Sequence, residues 1–434
     1  MLSLENNKKL IFLLNFFLIF LPISLLFSNI ISEIIIFLVT IIFFFSVKKE
    51  DVLKVINNKV IFLLLILTLY FAINYFINFN KNPSITRSLL FIRFPLYVIS
   101  LSYFLNSGLL SNKKIFYYWG GVVLITCLDL QLQNITGKNI LGYDPVAEGS
   151  IIRLGGFLND ELKISNFINS FFVISLGAIF FYKKNNINLI LIFLFIFTIL
   201  YSVFITGERA NFIALLVFLI GFLIISSLKK YFVFMFVTLS IIMAFNYSEL
   251  KKNSMFDRML FQNVDIIKDS LNINHKKKDD KSEENMGFLY KNNQYFSHYS
   301  TAWEIFKDYP LAGVGLKNFR VYCSNETYLA KVHPGYRNRN CTTHPHNLYF
   351  EILSELGILG GIFFFTLFIY FFYTCLKRSY EKRNMFLYGN TLFLMTYFIP
   401  ILPRGSFFTN WNAMMFWTVF AISYYLLNKK KNHA

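Results

Sequence analysis

Residues 187–228 read INLILIFLFIFTILYSVFITGERANFIALLVFLIGFLIISSL. Two apolar runs, 187–206 and 210–228, are joined by almost no loop, and a Glu and an Arg stand side by side in the gap. A helix rising 1.5 Å per residue needs roughly 20 residues to cross the hydrocarbon core, so each run is long enough to span. The same pattern recurs on both sides. Apolar runs lie near 10–28, 31–47, 60–78, 88–106, 115–133, 165–182, 231–247, 347–374, 384–402 and 411–428. With the first pair they predict an all-α polytopic membrane protein of about twelve transmembrane helices.

Composition points the same way. Hydrophobic residues make up 56% of the 434 and charged residues 15%, with 54 Phe. A soluble domain carries roughly 25% charged residues, and this much apolar surface needs lipid as its solvent. The net charge of +18 is not a nucleic-acid signature, because the Lys and Arg are dispersed between the spans. With the N-terminus in the cytoplasm, the short inner segments hold 19 Lys and Arg. The short outer segments hold six: Lys81, Lys138, Arg153, Lys163, Arg209 and Arg404. The positive-inside rule therefore predicts cytoplasmic N- and C-termini. Lys8 and Lys9 precede the first run with no small-residue cleavage site after it, the pattern of a signal anchor.

The predicted domains are 1–247 with helices one to nine, a large outer loop 248–346, and 347–434 with the last three helices. The loop's centre, 275–284, is a polar charge run with the character of a solvated segment. From Tyr299 to Asp308 the pattern predicts a short helix stopped by Pro310, with a tight turn at Gly313 and Gly315. No internal repeat and no nucleotide-binding loop are present.

Unusual residues gather on the outer side. His275, His298, His333, His344 and His346 all fall in the outer loop. Glu33, Arg87, Arg93, Asp129, Arg209 and Glu355 lie in the outer half of the membrane or at its edge. Each ionisable residue within a span costs roughly 2.5–3.5 kcal/mol on insertion scales, which points to function or pairing. Glu33, Arg87 and Asp129 are expected to snorkel to the interface. Arg93, deeper by roughly 9 Å, takes either a structural ion pair or a site role. Charge on one side and the lack of repeats argue against a transporter or flippase, which lines a path through both leaflets.

Arg209 follows Thr206-Gly207-Glu208 and opens a helix. A helix N-terminus offers unpaired N–H groups and partial positive charge, and Arg adds a fork of donors suited to phosphate. The competing reading is an ion pair with Glu208. Arg153 lies before a span in Ile152-Arg153-Leu154-Gly155-Gly156, where two glycines allow close approach to a ligand. In Cys341-Thr-Thr-His344-Pro345-His346-Asn347, Asn347 is an expected N-cap. His346 then sits at the positive end of a helix, which keeps the imidazole neutral, as a general base requires. Glu351 and Glu355 share a face of that helix, and Glu355 is expected to pair with an Arg from another span. Cys127 and Cys375 lie in spans and pack. Cys323 and Cys341, if exposed to an oxidising compartment, pair and contribute on the order of 3 kcal/mol. The alternative is zinc held by Cys341, His344 and His346 with Cys323 or His333, but the spacing matches no usual ligand pattern.

The stretch Trp303-Glu-Ile-Phe-Lys-Asp-Tyr-Pro-Leu-Ala-Gly-Val-Gly-Leu-Lys-Asn-Phe319, then His344-Pro-His-Asn-Leu-Tyr-Phe-Glu-Ile-Leu-Ser-Glu-Leu-Gly357, resembles the O-antigen ligase and polymerase superfamily. Thr206-Gly-Glu-Arg209 is similar to its Gly-x-Arg segment. The resemblance implies a metal-independent glycosyltransferase without cofactor. It implies a donor glycan on undecaprenyl diphosphate and, in the ligase branch, a lipid A core acceptor at the periplasmic face of the bacterial inner membrane. It implies His346 as the catalytic residue and Arg209 and Arg153 as holders of the diphosphate; Arg93, from its depth in the membrane, is a further candidate for that role. His344, Glu355 and Asn347 stand as supporting residues. Polymerases and protein O-oligosaccharyltransferases of the same superfamily share the donor.

Overall fold

The computed structural model describes residues 8–47, 58–148, 151–182, 188–226, 294–329, 341–400 and 402–429. The expected ninth span at 231–247, the charge run 275–284, His275 and His333 lie outside the described residues. Helices of three turns or more are numbered in chain order. They are α1 Lys8–Phe27, α2 Asn29–Ser46, α3 Lys59–Ile77, α4 Arg93–Asn106, α5 Asn112–Thr136 and α6 Ile164–Tyr182. They continue as α7 Leu189–Ile205, α8 Arg209–Ile225, α9 Gln294–Asp308, α10 Leu348–Lys382, α11 Met385–Thr396 and α12 Asn410–Asn428. Among the described residues, seven helical stretches are long and apolar enough to cross a membrane: α1, α2, α3, Ile85–Asn106 (which contains α4), α5, α6 and α10. The two runs read first form shorter apolar helices, α7 and α8, of 17 residues each.

The centre of the bundle is α6, which packs against α5, α11, α8 and α12 and is buried over 83% of its apolar window. The outermost, α1 and α2, are buried over 39% and 33%. In lipid, close packing of side chains holds helices together. Gly177 of α6 admits α11 so near that a Cβ there would lie 2.3 Å from the Phe386 ring. On the other flank, Phe364 and Phe368 of α10 meet Phe407, with Phe416 and Trp417 of α12 against Phe368 and Phe407, in tilted and edge-to-face contacts.

Two expectations are corrected first. The chain is not wholly α-helical: Val146–Glu148 and Ile151–Arg153 form a small antiparallel hairpin, with Arg153 opposite Val146. Asp129 does not snorkel to the surface. It is buried and accepts the Ile140 N–H at 2.9 Å and the Asn139 amide at 3.3 Å, closing the loop after α5. Such local donors satisfy a carboxylate without solvent. At Gly155 the backbone packs on the Asn159 carbonyl, since a Cβ would fall 1.7 Å from it.

The run 347–374, expected as one span, is two helical pieces. At Gly357 the backbone turns to φ 67°, ψ −170°, which only glycine adopts at low cost. A broken helix leaves carbonyls and N–H groups unpaired, and in a membrane these must find partners within the protein. The segment after α9 supplies them. Val314 N donates to Ser354 O at 3.0 Å and Gly315 N to Glu355 O at 2.8 Å. Ile358 N and Leu359 N donate to the Pro310 and Leu311 carbonyls at 2.8 and 3.3 Å. The Tyr70 hydroxyl of α3 reaches Leu356 O at 2.6 Å, and Asn74 holds the Ala312 carbonyl at 2.6 Å. A side chain at Gly357 would meet the Leu311 carbonyl at 2.3 Å. The Gly357→Ala variant combines that clash with a backbone conformation essentially confined to glycine, costing about 1–3 kcal/mol by itself. It is expected to lower the thermal unfolding midpoint in detergent by several degrees, and an unchanged midpoint contradicts this account of the break.

Candidate active site

The first turn of α10 carries the site. Asn347, extended at φ −143°, caps the helix by accepting Tyr349 N at 2.9 Å and Phe350 N at 3.3 Å. Its amide donates to Pro400 O at 2.6 Å. His346, just before it, adopts φ 57°, a conformation rare for a side-chain-bearing residue and frequent at functional sites. Its ring lies 4.1 Å from that of His344, 5.6 Å from that of His298 and 5.3 Å from that of Tyr295, centroid to centroid.

The loop between α11 and α12 grips both histidines. Arg404 N donates to His346 O at 2.9 Å, and the Arg404 carbonyl lies 3.3 Å from His344 Nε2. A carbonyl only accepts, so His344 carries its proton on Nε2 and its Nδ1 accepts from the Thr343 hydroxyl at 2.9 Å. The Arg404 guanidinium lies over the Tyr397 ring at 4.3 Å and donates to Thr396 at 2.9 Å. Its buried Nε has no partner among the described residues. Arg404, Tyr397, Glu351 and Asn412 line one cavity together with Leu348, Gly405 and Phe407.

Beneath lies a network of charges. Lys317, at φ 67°, directs its ammonium to the Ser406 hydroxyl, with Glu351 Oε1 at 4.0 Å. The Ser406 hydroxyl also bonds Glu351, whose second oxygen accepts Phe407 N at 3.0 Å. Glu355 does not pair with an arginine. It is fully buried and accepts backbone N–H groups from Lys317 at 2.9 Å and Phe319 at 3.4 Å. The turn made by Gly313 and Gly315 aims these two donors inward, so no cation from another span is required. Burial lowers the Lys317 ammonium, while Glu351 and Glu355 oppose that shift.

Cys323 and Cys341 form a disulfide, which ties the chain before His344 to the short helix Phe319–Tyr322. As a disulfide they offer no thiolate to zinc. Among the described residues no group of three His, Cys, Asp or Glu is placed to hold a metal ion.

On the far side of α6, Glu208 is buried and uses both oxygens within the protein. It accepts Ser165 N at 2.9 Å and the Asn211 amide at 2.6 Å. No ion pair joins it to Arg209 among the described residues. Arg209, half-buried, opens α8. Arg153 acts on Glu208 electrostatically, lowering a carboxyl that burial raises. A polar track connects this corner to the histidines. Asn169 donates to Asn211 O at 2.9 Å, Asn166 lies one turn earlier on α6, and the Tyr397 hydroxyl donates to Asn166 at 2.9 Å beneath Arg404. Arg93 is not part of this track. Its contacts are Thr86 O, Leu90 O and Asn410.

Sequence reasoning gave no site role to Arg404, Lys317 or Ser406, and named His298 only as one of the outer-loop histidines. Arg404 carried a signal, an outer cation directly after Pro403, but it was read only as a topological charge.

Burial, reinforced by Lys317 for His344 and by His344 and His298 for His346, lowers the two rings to about 4 and about 3. Burial, more than the helix end, keeps His346 neutral. Both folded values lie below the unfolded one, so the native state binds fewer protons than the unfolded state across that interval. Their contribution to stability is complete above about pH 6.5 and is lost as pH falls towards 4 and then 3. Titration of the His346 ring by nuclear magnetic resonance is expected to give a midpoint below about 5, whereas a midpoint at the ordinary histidine value of about 6.5 contradicts the burial described.

Residues 192–365 match the family model described as O-antigen ligase. That stretch includes Arg209, the break at Gly357, the disulfide and both site histidines. A search of curated proteins finds no match. Over this matched region, about two fifths of the chain, the protein is similar to the O-antigen ligase superfamily.

Proposed function

We propose that this protein is an O-antigen ligase, a glycosyltransferase of the bacterial inner membrane. It moves a glycan from undecaprenyl diphosphate onto the lipid A core at the periplasmic face. In this reading the chain crosses the membrane about twelve times, with both termini cytoplasmic, and the loop 248–346 is periplasmic. The observation that carries the reading is the combination of a neutral, half-buried His346 with guanidinium groups that bond no carboxylate among the described residues. One is Arg404 Nε, without a partner among the described residues, and the other is Arg209 at a helix N-terminus, unpaired with Glu208.

The mechanism follows from these positions. Arg209, Arg153 and Arg404 hold the diphosphate and stabilise the charge it gains as it leaves. The acceptor hydroxyl attacks the anomeric carbon, His346 takes the hydroxyl proton, and the bond from the anomeric carbon to the diphosphate oxygen breaks with its electron pair. The products are the glycosylated acceptor, undecaprenyl diphosphate and a protonated histidine that returns its proton to solvent. A single displacement inverts the anomeric centre. His344 and Asn347 orient His346, and Glu355 holds the turn that carries Lys317. The cations supply the charge stabilisation that a metal ion supplies elsewhere, so the proposed reaction needs neither metal nor cofactor.

The test is transfer by the purified protein in proteoliposomes containing lipid-linked glycan and lipid A core, with a chelator present. Wild type is expected to transfer glycan, and His346→Ala to lose about 10²–10⁴-fold in rate. Arg209→Ala is expected to lose about 10²–10³-fold. Chain growth on the carrier replaces the ligase with a polymerase, and product on Ser or Thr of an acceptor protein replaces it with an oligosaccharyltransferase. Glycan lipid moved between leaflets without product overturns the enzyme reading.

A further inference from the structure

We propose that Arg87, Arg93 and Arg320 form a second anion site, on the opposite side of the α12 first turn from Arg209, and that it takes a phosphate of the lipid-borne acceptor. The proposal rests on the ligase reading for the identity of its ligand, and on the following packing, hydrogen bonds and electrostatics for its existence.

Arg93 is fixed in place. One terminal nitrogen donates to Thr86 O at 3.0 Å and Leu90 O at 2.7 Å, and the other to the Asn410 side chain at 2.8 Å. Its Nε is buried with no partner among the described residues. Arg87 follows directly after Thr86, and its Nη1 is likewise buried without a partner among the described residues. The third guanidinium arrives by way of the glycine turn. Gly315 packs on Pro83 so tightly that a Cβ would lie 2.7 Å away, and Ser84 N donates to Leu316 O at 3.0 Å. This sets residues 83–87 against the segment leading into the short helix that carries Arg320. The charges acting on Arg87 are Arg93, Glu33 and Arg320. Glu33 is bonded by the Asn410 amide and acts on Arg87 and Arg93, so one carboxylate serves two arginines.

Like charges repel across such distances, and a buried N–H without a partner costs free energy. A phosphate offers several acceptor oxygens and two-point geometry to each guanidinium, which relieves both. The first turn of α12 separates this group from the donor corner. Asn410 faces Arg93 and Glu33, while Asn412 bonds Asn166 and Ser406 O. The Cys323–Cys341 disulfide ties the Arg320 helix to the segment before His344, and Arg320 also acts on His344 electrostatically. A phosphate held there brings an acceptor hydroxyl to His346 from the side that the donor does not occupy.

The probes are lipid A core glycolipid with its phosphates intact, the same glycolipid after phosphatase treatment, and undecaprenyl diphosphate. Binding to the full chain is measured in phosphatidylcholine nanodiscs. Wild type is expected to bind the phosphorylated glycolipid about tenfold more tightly than the dephosphorylated one. The double variant Arg87→Gln with Arg320→Gln is expected to lose that preference and keep its affinity for undecaprenyl diphosphate, which also shows that it folds. Equal binding of both glycolipids by wild type overturns the site, as does a preference that survives in the double variant. Loss of undecaprenyl diphosphate binding in the variant assigns the arginines to the donor instead. Erasure of the preference in phosphatidylglycerol nanodiscs assigns them to bilayer headgroups. These readouts need no turnover, so a failed transfer assay with the preference intact removes the ligase reading and leaves the anion site.

Discussion

The interruption of α10 at Gly357 governs the outer face of this protein. A helix broken within a membrane leaves backbone groups without water to bond, at several kcal/mol for each one left unmet. Here residues 310–315 and Tyr70 meet them. The chain after α9 is therefore obliged to return to α10 and lie against it. That return delivers Lys317 and Phe319 N–H groups to Glu355 and brings the Arg320 segment beside Pro83. The upper piece of α10 is fixed in turn, and His346 stands at its start.

Electrostatics then divides the face into tasks. The carboxylates Glu351, Glu355 and Glu208 are satisfied by backbone N–H groups, a hydroxyl and an amide. They shape loops, and neither Arg404 nor Arg209 is bonded to any of them among the described residues. The histidines are deprived of protons by burial and by cationic neighbours. An imidazole this reluctant to protonate is a weak base at rest. An arriving diphosphate changes that balance, because its negative charge favours the imidazolium. The acceptor hydroxyl also becomes acidic only as its bond to the anomeric carbon forms, so the base is needed late.

Local features were the legible ones. The paired apolar runs around Thr206-Gly207-Glu208-Arg209, the cap at Asn347, the short helix ending before Pro310 and the turn at Gly313 and Gly315 each announce themselves within a few residues. Contacts made across the fold did not. Nothing near Glu355 in the chain shows that its partners are N–H groups 36 and 38 residues away. Nothing near Arg404 shows that its backbone holds His344 and His346 across about sixty residues. Asp129 was misjudged because hydropathy places a charge at a depth but does not reveal the donors of a loop folding back on it. The break in α10 was missed because Ser-Glu-Leu-Gly is compatible with a continuous helix until residues 310–315 are laid beside it.

The central claim is that Arg209 and His346, on different helices, serve one anion-dependent site. The most direct measurement is the protonation midpoint of the His346 ring with and without undecaprenyl diphosphate, in wild type and in Arg209→Ala. The account predicts that the ligand raises the midpoint towards the ordinary histidine range in wild type and leaves it unchanged in the variant. A midpoint in wild type that does not respond to the diphosphate would contradict it.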